Sequence, residues 1–194
     1  MSILIVVFDQ ITKLMVKGID IPALGIRFGG LPPGKSQEVW GDLIRLTYIE
    51  NPGMAFGIDI GGKLFFSIFT VLASIGIFWY LYKMRNETFP FKFALAMILG
   101  GACGNLIDRV FYGMIFQNAP LFYGKVIDFI DLDFFNVNFL GYHLSRWPIF
   151  NIADASVSVG VVFLLFAPRT SATTESPAVQ PLSADPPEPP SPQS

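Results

Sequence analysis

The chain is poor in the residues on which common catalytic and metal centres depend. Its 194 residues include one Cys and one His, which excludes an internal disulfide framework and a Cys-based zinc cage. Charged residues make up 14% of the chain, against roughly 25% in a typical soluble domain. Acidic residues slightly outnumber basic ones, 15 to 13, so no basic footprint indicates nucleic-acid binding. Apolar residues account for 52%, including 20 Phe, and this surplus favours a membrane protein.

Four hydrophobic segments account for most of the apolar residues. The clearest, Leu64 to Tyr82, carries no charge, and at ~1.5 Å per residue a helix of this length matches the ~30 Å hydrocarbon core of a bilayer. The others run from about 1 to 16, from 93 to 112 and from 147 to 168. The first lacks the basic start and small-residue cleavage site of a signal peptide. We therefore predict an α-helical membrane protein with four transmembrane helices.

The loop after the second hydrophobic segment sets the predicted orientation. It holds Lys83, Arg85 and Lys92 against one acid, Glu87, and basic loops of this kind stay in the cytoplasm. Both termini are then cytoplasmic, and two segments, 18–62 and 113–147, face outward. The first alternates apolar and polar residues over 43–49 before a Pro-Gly turn, which predicts a small extracytoplasmic β-cradle. The second is an aromatic-rich outer loop.

The C-terminal segment differs in composition from the rest of the chain. Residues 171–194 contain no aromatic residue and seven of the 15 Pro residues. A segment of this kind cannot bury a core, so it is predicted to be disordered. We divide the chain into a membrane domain, 1–170, and a Pro-rich cytoplasmic tail, 171–194.

Ionisable residues within apolar segments are the candidates for chemistry. Four carboxylates, Asp9, Asp108, Asp128 and Asp154, lie in or beside hydrophobic runs. A charged side chain near the bilayer centre costs ~2.5–3.5 kcal/mol, so it usually lines a polar cavity. Asn51, Asn105 and Asn151 are candidates for the same region. Two carboxylates that share a water and one proton form the acid–base pair that this sequence can supply.

Several of these features also have structural interpretations. Gly100 and Gly104 form a small-residue face suited to close helix packing, and Asp108 with Arg109 could close a helix end as an ion pair. The lone Cys103 is most simply a small apolar residue, and His143 a surface or interface residue. Two further acids, at positions 131 and 133, are expected to be solvated loop residues.

Five motifs occur in a specific order: FDQITK, NPGMAFG, GGACGNLIDRV, VIDF and FNIADAS. Together they closely resemble the lipoprotein signal peptidases, the signal peptidase II family, over Phe8 to about Phe166. The resemblance implies an aspartic endopeptidase of the bacterial inner membrane that removes the signal peptide of prolipoproteins. It implies cleavage before a Cys carrying diacylglycerol. The expected partners are diacylglyceryl-prolipoproteins and membrane lipids, and the expected enzyme is a monomer without metal or cofactor.

The resemblance also implies roles for individual residues. Asp128 of VIDF and Asp154 of FNIAD are the expected catalytic dyad, and Asn51 of NPGMAFG is an expected substrate contact. The expected shell that orients the dyad and holds the substrate backbone consists of Asn105, Asp108, Arg109 and Asn151. Asp9 and Lys13 are expected to be structural supports. The sequence departs from the family pattern in its short start before Asp9, in the insert MIFQNAPLFYGK before Asp128, and in its tail.

Two functions of other classes also fit the residues. Intramembrane Asp residues could form the proton relay of a small transporter, but four helices without an inverted repeat disfavour this. A membrane scaffold would use the glycine faces only for helix packing, and the clustered carboxylates argue against it. Peptide cleavage, proton flux or neither in proteoliposomes would separate the three hypotheses.

Overall fold

The four hydrophobic segments all form helices. The structure, a computed structural model, describes residues 1–21, 25–55, 58–59, 62–133, 137–139, 142–144 and 146–169. The main helices are α1 (Ser2–Lys17), α2 (Gly62–Lys83), α3 (Phe89–Ile107) and α5 (Ile152–Phe166). A single π-helical turn, Asp108–Tyr112, and the short helix α4, Gly113–Phe116, continue α3. The tail, 171–194, lies outside the described residues.

One helical stretch is long and apolar enough by itself to cross a membrane. Among the described residues this stretch is Phe89–Phe116, and Ser67–Lys83 and Ile152–Phe166 are shorter apolar helices. The last predicted segment begins at Trp147, but its helix begins only at Ile152 because Asn151 caps it. The preceding residues are extended instead, and Phe150 pairs with Ile130 as an isolated β-bridge.

Glycines allow α3 to pack closely against its neighbours, as the small-residue pattern predicts. A Cβ added at Gly101 would lie 2.3 Å from the carbonyl oxygen of Ala153 on α5. A Cβ added at Gly104 would lie 2.7 Å from a carboxylate oxygen of Asp9 on α1. Gly101 therefore has no room for a Cβ against the α5 backbone, and a Cβ at Gly104 would displace Asp9. Accordingly, α3 lies between α1 and α5 at the level where their polar residues occur.

The strands lie outside the helical segments. They are β1 (Gly18–Ile21), β2 (Ile26–Gly29), β3 (Ser36–Trp40), β4 (Ile44–Asn51), β5 (Met54–Ala55), β6 (Ile58–Asp59), β7 (Val126–Leu132), β8 (Val137–Phe139) and β9 (Tyr142–Leu144). The predicted alternating strand is β4, and a bend at Pro52 and Gly53 follows it, where Gly53 has a φ of 111°. The described strands form a three-stranded antiparallel sheet, β3-β4-β7, and three two-stranded ribbons, β1-β2, β5-β6 and β8-β9.

The three-stranded sheet packs on the ends of the helices and carries the last predicted motifs with it. Its register places Ile49 opposite Asp128 and Asn51 opposite Val126. A cluster of buried side chains joins the sheet to α1 and the π-helical turn, and it consists of Val16, Tyr48, Tyr112, Ile127 and Phe129. The sheet therefore fixes β7, with its carboxylates, against the helical bundle.

Asp131 corrects one expectation from the sequence. It was expected to be a solvated loop acid, but it lies within β7 and only 5% of it is exposed. Its carboxylate accepts a hydrogen bond from the Thr47 hydroxyl at 2.7 Å and pairs with Arg146 at 2.8 Å. Asp133 also pairs with Arg146, at 3.3 Å. Both acids therefore hold the segment that precedes α5 against the sheet.

Candidate active site

Two chain segments that are distant in sequence bring Asp128 and Asp154 to one place. Asp128 lies in the middle of β7, and Asp154 lies in the first turn of α5. The amide nitrogens of Phe129 and Ile130 donate to the carbonyl oxygen of Phe150, at 3.1 and 2.7 Å. These bonds tie the residue before the α5 cap to the strand that holds Asp128.

Asn151 contacts both carboxylates of the predicted dyad. Its side-chain nitrogen donates to Asp128 Oδ1 at 2.7 Å. Its side-chain oxygen accepts from the amide of Asp154, while its own amide donates to Asp154 Oδ2 at 3.3 Å. This reciprocal pair is the capping box of α5. The residue that begins the helix therefore also sets the positions of both carboxylates, and it is fully buried.

Asn105 connects the dyad to a buried cation. Its side-chain nitrogen donates to Asp154 Oδ1 at 2.7 Å. Its side-chain oxygen accepts from Lys13 Nζ at 2.9 Å and from the Asn151 amide at 3.0 Å. The amide orientation is thereby determined, because the oxygen must face the two donors and the nitrogen the carboxylate.

Asp128 is in an environment that favours its protonated form. Burial, followed by repulsion from the charge of Asp154, raises the pKa of Asp128 to about 7. Hydrogen bonds from Asn51 and Asn151 and the charge of Lys13 oppose this rise. Asn51 donates to Asp128 Oδ2 at 3.1 Å, and its own side-chain oxygen accepts from the amide of Gly53. The residue expected to contact substrate thus contacts the dyad directly.

A fully buried ion cluster underlies the dyad. Lys13 Nζ lies 2.8 Å from carboxylate oxygens of both Asp9 and Asp108, and all three side chains have 0% exposure. Each acid also accepts a backbone amide. Asp9 accepts that of Ala153 on α5 through the oxygen that Lys13 does not contact, and Asp108 accepts that of Ile127 on β7 through the same Oδ2 that contacts Lys13. This cluster therefore joins α1, the π-helical turn, β7 and α5.

The sequence analysis missed Gln10 and Tyr112. The side-chain nitrogen of Gln10 lies 2.9 Å from Asp108 Oδ1 and 3.1 Å from the carbonyl oxygen of Gly104. The hydroxyl of the buried Tyr112 donates to Gln10 Oε1 at 2.9 Å. Gln10 stands within the FDQITK motif next to Asp9, so its position was available as a signal.

Arg109 completes the set of predicted residues. It lies half-buried in the π-helical turn, and its guanidinium interacts electrostatically with Asp154, Asp108 and Asp128. The structure thus brings all nine predicted site residues into one connected region. Within that region the positive charges of Lys13 and Arg109 balance two of the four carboxylates.

A cavity of about 520 Å³ opens onto the dyad. The residues that line it include Asn51, Asp128, Trp147, Asp154 and Ser158. A second cavity of about 340 Å³ shares Ser158 and Val159 with the first and is otherwise lined by Val162 and Phe163. A groove therefore runs from the carboxylates along the face of α5, and its lining becomes apolar away from them.

Two carboxylates beside a cavity can perform acid–base chemistry on a water molecule. Held close together they share one proton, so one acts as base and the other as acid. Among the described residues no group of three or more His, Cys, Asp or Glu side chains is arranged to hold a metal ion. Cys103 lies half-buried within α3, and the side chain of His143 lies outside the described part of the chain.

Comparison with known proteins assigns this site to a family. The family model described as signal peptidase (SPase) II matches residues 1–168. A lipoprotein signal peptidase of Amoebophilus asiaticus is 35% identical, covering 88% of this chain and 76% of the relative. One from Pelodictyon phaeoclathratiforme is 34% identical, covering 90% and 91%.

Two solved structures, described as bacterial membrane enzymes studied by the in meso method, have similar folds. They are 32% and 31% identical to this chain, with TM-scores of 0.60 and 0.61. Each alignment covers 85% of this chain, and it covers 82% of the first structure and 87% of the second. By sequence and by fold, the chain belongs to the signal peptidase II family of bacterial membrane proteases.

Proposed function

We propose that Asp128 and Asp154 are the catalytic pair with which this aspartic peptidase removes the signal peptide of prolipoproteins. The observation that carries the assignment is Asn151, whose side chain and backbone bind both carboxylates at the wall of one cavity. The other predicted residues support the pair: Asn105 binds Asp154, and Asn51 binds Asp128. Family membership favours this activity over the transporter and scaffold hypotheses.

The expected reaction is hydrolysis by an activated water. Burial and the neighbouring charge favour the proton on Asp128, so we assign Asp128 as the general acid and Asp154 as the base that accepts a proton from the attacking water. The water oxygen bonds to the scissile carbonyl carbon, and Asp128 then donates its proton to the leaving amide nitrogen as the C–N bond breaks. The proton taken up by Asp154 restores the shared state. We expect Arg109, whose charge interacts with both carboxylates, to bind the substrate backbone beside them.

The groove along α5 suits a lipid-modified substrate. It leads from the dyad past Ser158 and Val159 to Val162 and Phe163, and each CH₂ group buried there contributes ~0.8 kcal/mol. A diacylglyceryl group in this groove would hold the adjacent peptide bond at the carboxylates. We therefore infer cleavage immediately before the lipid-modified Cys.

We also infer that α1, α2, α3 and α5 all cross the membrane. Large apolar side chains cover the outer faces of α2 and α5, among them Phe69, Leu72, Phe78, Val162 and Leu165, each at least half exposed in the isolated chain. Lipid covers such a surface without loss, whereas water does not. Tilting and local thinning of the bilayer accommodate the shorter helices. In this arrangement the sheet and the dyad lie at the outer surface of the inner membrane.

A cleavage assay tests the proposal. The enzyme in proteoliposomes is given two matched prolipoprotein peptides, one with diacylglycerol on its Cys and one without. We expect cleavage before the lipid-modified Cys and a far slower reaction of the bare peptide. Asp128→Asn and Asp154→Asn should each reduce the rate by at least about 10³-fold, whereas Asp20→Asn, at an exposed position on β1, should not. Near-normal turnover by either dyad variant would refute the assignment.

A further inference from the structure

Glu50 is the centre of a second polar cluster that lies outside the dyad. Its Oε1 accepts hydrogen bonds from Tyr48 at 2.7 Å and from Lys17 at 3.0 Å. Its Oε2 accepts hydrogen bonds from Gln117 at 3.0 Å and from Lys125 at 3.1 Å. A single carboxylate on β4 thus binds the end of α1 through Lys17. It also binds two residues, Gln117 and Lys125, of the insert MIFQNAPLFYGK that departs from the family pattern.

That segment, residues 114–125, folds back onto the π-helical turn. The amide of Phe122 donates to the carbonyl oxygen of Val110 at 3.2 Å, and that of Gly124 donates to Arg109 at 2.9 Å. Gly124 is required for this contact, because a Cβ there would lie 2.0 Å from the carbonyl oxygen of Asp108. The segment therefore packs on the residues that carry Asp108 and Arg109 before it enters β7.

Glu50 immediately precedes Asn51, the β4 residue that contacts the dyad. Glu50 is opposite Ile127 in the β4-β7 register, and the next residue, Asn51, donates its side-chain hydrogen bond to Asp128. Lys17 fixes β4 to α1 by binding both Glu50 and the Tyr48 hydroxyl, while Gln117 and Lys125 fix β4 to the chain that leads into β7. The cluster sets the relative position of the two strands whose side chains meet at Asp128.

We propose that Glu50 is a positioning residue for the dyad, through which the 114–125 segment and α1 hold Asn51 in hydrogen-bonding distance of Asp128. This role deepens the proposed function and rests on it. The hydroxyl of Tyr48 and the ammonium groups of Lys17 and Lys125 leave Glu50 fully engaged, so it acts through Asn51 and does not touch the reacting atoms. Residues 114–125 thereby help to position Asn51 against Asp128.

The pH dependence of cleavage separates this role from a simple effect of charge. Among the described residues, the groups that interact with Asp128 include Asn51 from β4, Lys13 from α1, Arg109 from the π-helical turn, and Asn151 and Asp154 from the start of α5. Displacing Asn51 removes a hydrogen bond that lowers the pKa of Asp128. Cleavage would then persist to higher pH. Removing the negative charge of Glu50 would by itself have the opposite effect, because like charges raise a carboxyl pKa.

The experiment measures kcat/KM against pH for the full chain in proteoliposomes with the lipidated peptide. For Glu50→Gln we expect a loss of at least about tenfold. We also expect the alkaline limb to move upward by about half a pH unit. Gln117→Ala changes no charge and tests the proposal even if Glu50→Gln does not fold. It should move the alkaline limb of the pH profile upward by a smaller amount. Glu38→Gln, on the exposed strand β3, should match the wild type.

Coupling to Asn51 provides the second readout. If Glu50 acts through Asn51, the double variant Glu50→Gln/Asn51→Ala should lose no more activity than Asn51→Ala alone. Additive losses, a limb that stays in place, or a limb that moves downward would each overturn the inference while wild-type cleavage stands. Absence of wild-type cleavage, or full activity of Asp128→Asn, would instead refute the proposed function.

Discussion

At the scale of single residues, Asn151 combines two tasks that are usually separate. It caps α5 by the reciprocal bonds with Asp154, and its side-chain nitrogen holds Asp128. Asp154 in turn is both the third residue of the helix and half of the dyad. The positions of both carboxylates are therefore fixed by the start of α5, whose backbone is held by packing against α3.

Replacing Asn151 should consequently lower both stability and activity. The lost cap costs ~1 kcal/mol of stability, and the lost hydrogen bond to the Asp128 carboxyl costs a further ~1.5–3 kcal/mol. Because Asn151 also sets the positions of both carboxylates, Asn151→Ala should lower kcat/KM by about 10- to 100-fold. Cleavage kinetics and the melting temperature in detergent give the two quantities. Asn86→Ala, in the loop at the opposite end of the helices, is the control, and an unchanged kcat/KM for Asn151→Ala would contradict the argument.

The raised pKa of Asp128 predicts a pH profile for the enzyme. Above about pH 7 Asp128 loses its proton and can no longer act as the general acid, so kcat/KM should fall as the pH rises through that value. Asn51→Ala should shift this fall to higher pH, because Asn51 lowers the pKa of Asp128. A profile that stays flat to pH 9 would show that Asp128 does not hold the shared proton.

The same group affects stability in a defined direction. Because the folded-state pKa of Asp128 lies above its ordinary value of 3.8, the folded protein binds this proton more tightly than the unfolded chain does. Its stabilising contribution is complete below about pH 4 and is lost as the pH rises through about 7. Glu50 behaves in the opposite way: burial would raise its pKa, but hydrogen bonds from Tyr48, Lys17 and Lys125 lower it to about 2.

At the scale of elements, the contact between α3 and α5 determines where Asp154 lies. Gly101 allows α3 to touch the backbone of Ala153, which immediately precedes Asp154. The two helices approach so closely that even a methyl group has no room. The helix face that the sequence analysis assigned to packing thus also positions Asp154, a carboxylate of the proposed dyad.

Gly101→Ala should therefore damage both stability and cleavage. The added Cβ must push α5 away, at a cost of ~1–3 kcal/mol, and Asp154 moves with it. Gly76→Ala in α2 is the matched control, because a Cβ there meets nothing within 4 Å. We expect a lower melting temperature and a large loss of kcat/KM for the first variant and neither for the second. Equal behaviour of the two variants would show that the helix contact does not position the site.

The helices and the site motifs were predictable from the sequence, whereas the pairing between strands was not. Apolar runs gave the four helices, and the ordered motifs gave Asp128, Asp154 and their partners, because these signals are local. The pairing of β4 with β7 joins residues that are distant in sequence. The sequence therefore did not predict the Asn51–Asp128 contact or the Glu50 cluster. The π-helical turn at Asp108 and the burial of Asp131 likewise depend on tertiary packing.

At the scale of the whole molecule, polar and apolar surfaces are separated along the bundle. The sheet, the ion cluster and the dyad lie together at one end of α3, whereas the α2–α3 loop with Lys83, Arg85 and Lys92 lies at the other end. A substrate whose lipid occupies the membrane and whose scissile bond lies at its surface fits this division. In the proposed orientation, water would reach the carboxylates from the outer side without crossing the apolar bundle.

The orientation of the bundle is the last expectation that can be tested directly. Basic loops remain in the cytoplasm, so a reporter fused at Arg85 should report cytoplasm and one inserted at Gln117 should report the outer side. Replacing Lys83, Arg85 and Lys92 by Gln removes the bias and should reduce correctly oriented protein. Asn86→Gln in the same loop leaves all three basic residues in place and should have no effect. The reverse reporter pattern would place the dyad on the cytoplasmic face, where a prolipoprotein exported through the membrane could not reach it.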